Sequence, residues 1–358
     1  MRLAVSLTTL LLTASLAYAG DIPAPEGKTL VGSNSKLELL FTRSAKIEGG
    51  LTEGPAVAPD GSIYFSDIPF GKDNGMIQRF DPKTGKTTVF SDNSGKSNGL
   101  IFDAKGHLLA CEGAGFGGRQ VSRTDVKSKK KTTLTNNYGG KRLNAPNDLC
   151  VDAEGRIYFT DPRYGPRKGM EILDKQGRAV EGVYRIDPDG TVTQVITHEV
   201  DRPNGIHITS DDRHLYVVDN NNDNLGVARA VWRFDLTADG NVIAKSRKKM
   251  HDFGQGRGGD GMALDVDGRL YVAAGRTVAN PPNETTEVAG GVYVISPRGK
   301  QVGFIPIQED SVTNCTFGGK DLKTLYITAG HTLWSIRCTS RGFVPWLSRS
   351  TNPKSNKK

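Results

Sequence analysis

A short pattern recurs six times along this chain, and a repeat of its size confines the fold to a few architectures. The copies begin Glu53-Gly-Pro-Ala, Asn98-Gly-Leu-Ile, Asn147-Asp-Leu-Cys, Asn204-Gly-Ile-His, Asp260-Gly-Met-Ala and Asn314-Cys-Thr-Phe, at steps of 45, 49, 57, 56 and 54 residues. Each runs through alternating apolar positions to a polar turn such as Asp60-Gly61, Glu154-Gly155 or Asp267-Gly268, then into a second strand carrying Tyr64, Tyr158 or Tyr271. Period-two alternation around such a turn is a β-hairpin. Two further strand-like runs follow most hairpins, and four strands in a repeat of about 50 residues make a propeller blade. The chain is predicted to be all-β, a six-bladed β-propeller. The sixth copy supplies three strands, ending at Thr332–Arg337. Residues 37–42 are predicted to add the fourth, so that an N-terminal strand closes the ring in the last blade and removes an exposed edge.

Residues 1–19 read as a signal peptide, with Arg2, an apolar run from Leu3 to Leu16 and the small-x-small site Ala17-Tyr18-Ala19. Cleavage near Ala19 predicts an exported protein, periplasmic or secreted. The remaining divisions are an N-terminal extension (20–35), the propeller (36–346) and a basic C-terminal tail (347–358). No later segment is apolar over the ~20 residues that span a bilayer, so stable membrane insertion is not expected. The formal charge of +8 comes partly from lysine-rich runs at 127–131 and 354–358. In an exported chain these are solvated loop and tail charges, and no nucleic-acid partner is expected. Cys111, Cys150, Cys315 and Cys338 show no framework spacing and are expected as buried free thiols.

The first strand of each blade lines a propeller's channel, so Glu53, Asn98, Asn147, Asn204, Asp260 and Asn314 should meet at one mouth. Two carboxylates and four amides form an oxygen donor set, suited to a hard divalent cation such as Ca²⁺, with Mg²⁺ and Mn²⁺ as alternatives and Zn²⁺ less natural. The second strands return to the same mouth and end in Asp67, Glu112, Asp161 and Asp219. This acidic collar could bind a second ion or orient a substrate; the other reading is that it caps loop amides. Insertions around residues 161–181 and 276–289 are long enough to shape a binding site.

The ordered motifs Glu53-Gly-Pro, Arg142-Leu-Asn-Ala-Pro-Asn147-Asp, Arg202-Pro-Asn204-Gly and Asp260-Gly-Met resemble the gluconolactonase, regucalcin (senescence marker protein) and luciferin-regenerating enzyme family, over about residues 37–337. The resemblance implies a six-bladed propeller with one divalent metal held by Glu53, Asn204 and Asp260. It implies that Asn147 touches the metal or the substrate and that Asp260 is the general base. A metal-dependent lactonase, opening a sugar lactone to its aldonic acid, is the expected activity, with Asn98, Asn147 and Arg142 as expected substrate contacts. Gly113 stands where close relatives commonly carry histidine, and Ala145 fills the register of regucalcin's channel arginine, so the family's contacts at those positions do not carry over. A paraoxonase-like or strictosidine-synthase-like hydrolase shares the fold and is a second reading. A non-catalytic binding propeller is a third, although such a module has no need of the polar ring.

Overall fold

A computed structural model describes residues 25–27, 30–32, 34–44, 50–69, 71, 73–164, 168–227 and 229–346. The signal peptide and the basic tail read from the sequence lie outside these residues. Six antiparallel sheets follow one another around a ring. Blade one runs through Leu51–Val57, Ile63–Ile68, Met76–Asp81 and Lys86–Ser91, and the following four repeat this order outward from the axis. Blade six is assembled from both ends of the propeller: Val312–Gly318, Thr324–Ala329 and Thr332–Arg337 are completed by Glu38–Thr42, which pairs antiparallel with Thr332–Arg337. Ring closure by the N-terminal strand is thus as expected. Phe41 also meets Phe65 of blade one edge-on, with ring centroids 5.3 Å apart.

The recurrent second-strand tyrosines explain how blades adhere. Tyr64 packs edge-on against Phe102 in the next blade at 5.2 Å, and Tyr271 against Phe317 at 4.9 Å. Such pairs contribute about 0.5–1.5 kcal/mol beyond the apolar area they bury. All four cysteines are buried free thiols.

The chain beyond Arg337 holds a feature absent from the repeat. Gly342–Phe343 adds a fifth strand to blade five on its axial side, pairing with Gly259–Asp265. The segment then enters the channel: residues 343–346 line a small space of about 50 Å³ together with inner-strand residues of all six blades. The Trp346 indole N–H donates to the Val57 carbonyl at 3.1 Å. One end of the channel is therefore filled by the chain itself. No helix among the described residues is long and apolar enough to cross a membrane.

Candidate functional site

The openers touch one another around the axis, and small residues behind them make this possible. A Cβ on Gly99 would lie 2.3 Å from Asp148 Oδ1, and one on Gly261 only 1.9 Å from Asn314 Cγ. Gly54 and Gly205 are crowded in the same way by the backbone of Asn98 and Asp260. The glycine after an opener is there because the next blade's opener packs over it, and the hairpin turns lie seven residues further on.

Glu53 is 3% exposed and Asp260 5%. The Glu53 carboxylate accepts from the Gly54 N–H at 2.7 Å and from Asn314 Nδ2 at 3.3 Å. Burial, followed by the charges of Asp260 and Asp148, pushes its pKa well above the usual carboxylate range. Asp260 is raised mainly by burial, but Arg257 and the Asn204 amide oppose the shift. Arg257 Nη2 donates to Asp260 Oδ2, and Nη1 donates to the Val312 carbonyl at 2.8 Å. Behind Arg257 stands Glu284, at 3.7 Å from Nε, delivered by the blade-five insertion and itself held by Arg276 at 3.0 Å.

A cavity of about 420 Å³ reaches this cluster at Glu53 and is lined also by Asn98 and Asn147 and by the apolar Leu51, Ile68 and Ala145, whereas Asn204 and Asp260 are not among its lining residues. The blade-three insertion contributes Arg163 and Tyr164 to the same wall. Tyr164 accepts a hydrogen bond from Asn204 Nδ2 at 2.7 Å, and the Arg202 guanidinium lies 5.2 Å from its ring centre. Arg202 is wholly buried, pairing with Glu181 at 3.1 Å and Asp223 at 2.8 Å. The insertion's tyrosine thereby orients the fourth opener.

The donor set can be tested against a divalent cation. No group of three or more His, Cys, Asp or Glu placed to hold a metal occurs among the described residues, so any ion here would rely on amide oxygens as well as Glu53 and Asp260. Two observations fit that arrangement. Among the described residues, Glu53 is a buried carboxylate with no basic partner and Asn98 Oδ1 is buried with no hydrogen-bond donor. Both are costly unless something electropositive satisfies them.

The collar acids are structural. Asp161 accepts from the N–H groups of Asn144 and Ala145 at 2.8 and 2.7 Å, pinning the loop that delivers Asn147. Asp219 does the same for Asp201 and Arg202 ahead of Asn204, at 3.0 Å each. Asp67 pairs with Arg43 at 2.6 Å and Glu112 with Lys131 at 2.9 Å. With their oxygens turned to these partners, the four do not form a second ion site.

Arg142 departs from expectation: it is exposed on a two-residue strand, and the cavity lining does not include it. The cavity's cations are Lys96 and Arg163. Gly113 also has a local cause, since a Cβ there would lie 2.2 Å from the Ala145 carbonyl carbon and 2.3 Å from the Pro146 oxygen. The loop before Asn147 occupies the space a side chain would need. Sequence reasoning also passed over Arg257, whose only signal is its position three residues before Asp260.

A closed six-bladed propeller with a polar ring around its axis is the framework these residues define. Residues 51–331 match the family described as SMP-30/gluconolactonase/LRE-like region, and the chain belongs to that family. It is 29% identical to a gluconolactonase of Zymomonas mobilis over 311 residues, covering 81% of this chain and 79% of the relative. It is 27% identical to a pentonolactonase of Haloferax volcanii over 292 residues, covering 81% and 85%. A solved gluconolactonase structure from Xanthomonas campestris superposes with a TM-score of 0.70 at 28% identity, covering 89% of this chain and 95% of that one.

Proposed function

We propose that this protein hydrolyses a sugar lactone to its hydroxy acid, using one divalent cation, Ca²⁺ foremost, held by Glu53, Asn147, Asn204 and Asp260. The observation that carries the reading is the pair of buried acids in electrostatic contact, Glu53 and Asp260, of which Glu53 lines a cavity of about 420 Å³. Ligand cavities run from about 300 to 1,000 Å³, and this one is at the small end, where a single sugar ring belongs. The family and its lactonase members support the reaction class.

A divalent cation in such a place polarises a carbonyl oxygen and lowers the pKa of a nearby water. The protein's own groups do the rest. Asn98, Asn147 and Tyr164 present amide and phenol groups to the ring hydroxyls and orient the lactone. Arg257 fixes the orientation of Asp260 through Oδ2, and Asp260 takes the proton of the attacking water. Water oxygen bonds to the lactone carbonyl carbon, the ring C–O bond breaks, and the departing alkoxide recovers the proton from Asp260. The product is the open hydroxy acid, ionised at neutral pH.

Substituting each acid separately tests this division of labour. Asp260→Asn keeps the size and an oxygen but removes the proton acceptor, so kcat should fall by about 10²- to 10⁴-fold with the fold intact. Glu53→Gln weakens the cation site and should be partly rescued by excess Ca²⁺. Near-normal hydrolysis by Asp260→Asn at saturating metal would remove Asp260 from the base role.

A further inference from the structure

Lys96 takes no part in the chemistry above, yet it is 9% exposed and lines the same cavity. Its ammonium donates to the Gly71 carbonyl at 2.6 Å, and a Cβ on Gly115 would come within 3.3 Å of Nζ. Gly71 and Gly115 both line the cavity, so the charge stands where its wall meets an adjoining depression lined by Asn74 and Gly95. Among the described residues no carboxylate pairs with Lys96; the nearby Glu112 is held by Lys131 at 2.9 Å and Gln120 at 2.8 Å. A lysine this buried is ordinarily paired, and among the described residues only one of its three donors is used. Its backbone lies in the left-handed region, at φ 53°, which costs a non-glycine residue free energy. Arg163 adds positive charge to the same wall, though Glu181 and Asp161 act on it.

We propose that the lactone taken by this site carries a carboxylate outside its ring, as the monolactone of a sugar dicarboxylic acid does, and that Lys96 receives that carboxylate. This rests on the lactonase reading and narrows its substrate class. A single ammonium with two unused donors matches a single negative charge. A phosphate dianion would leave charge uncompensated close to Glu53.

The test compares kcat/KM for D-glucaro-1,4-lactone and D-glucono-1,4-lactone, which share a ring and differ only in a carboxylate replacing the terminal CH2OH. The wild-type protein should prefer the carboxylate-bearing lactone by about tenfold or more, the worth of a hydrogen bond to a charged group. Lys96→Met should bring the ratio close to one through KM, and Lys96→Arg should keep most of it. Turnover of both lactones at equal efficiency by the wild type overturns the inference and leaves the lactonase reading standing. Preference for a 6-phosphorylated gluconolactone overturns it in favour of phosphate. If neither lactone is turned over, the lactonase reading fails, and calorimetry with D-glucarate and D-gluconate still decides the inference: equal affinities overturn it.

Discussion

Asp260 and Glu53 are both buried, but among the described residues only Asp260 has a guanidinium paired with it. Removing Arg257 would leave two carboxylates in mutual repulsion with no ion pair to either among the described residues, and an unpaired buried charge costs about 3–5 kcal/mol. Arg257→Met should therefore lower the melting temperature of metal-stripped protein sharply, and excess Ca²⁺ should restore much of it by supplying the missing positive charge. Equal destabilisation with and without metal would mean that the cation does not sit beside Asp260. Asp161 offers a pH test. Burial raises its pKa to about 7, against two backbone N–H donors that lower it. The folded state then binds the proton more tightly than the unfolded chain, whose Asp titrates near 4. This contribution to stability is complete below about pH 4 and is lost as pH rises towards 7. Asp161→Asn removes it, so the variant should gain on the wild type in melting temperature between pH 4.5 and 7.5. A constant difference across that range would contradict the assignment.

At the scale of elements, the opening residues and the closing strand were legible because a repeat reports its own register. Six copies aligned on Glu53, Asn98 and their counterparts place equivalent residues without any knowledge of contacts. The groups around them were not legible, because they come from the parts that differ between copies. Arg257 and Tyr164 act through particular loop paths, and Arg142, the cation chosen by motif, is turned to solvent while Arg163 lines the cavity. The collar was visible as four acids, but whether an acid binds an ion or caps a loop depends on which amides reach it. Closure by Glu38–Thr42 rests on its pairing with Thr332–Arg337 and on the Phe41–Phe65 contact. Deleting residues 36–42 reopens that edge and exposes apolar side chains, and should lower the melting temperature by more than about 10 °C, several kcal/mol in a ring of this size. An unchanged melting temperature would rule out this closure.

Across the whole molecule, the propeller brings six distant segments to one axis; residues 343–346 fill one end of the channel, where Asn314 meets the same small space, while Glu53, Asn98 and Asn147 line the cavity of about 420 Å³. Rigidity follows from blades that interlock through residues such as Tyr64 and Tyr271, and it holds buried like charges together that a looser scaffold would let separate. Such charges have a use if a cation joins them, and the proposed hydrolysis then depends on that metal. The most direct measurement is pH-stat hydrolysis of D-glucono-1,5-lactone by chelator-stripped protein, corrected for spontaneous opening, with Ca²⁺, Mg²⁺, Mn²⁺ and Zn²⁺ added back singly. Metal dependence requires that no enzymatic rate appear until a divalent ion is restored, and that Glu53→Gln need more metal. A full rate in the stripped protein, unchanged by any added ion, would contradict it.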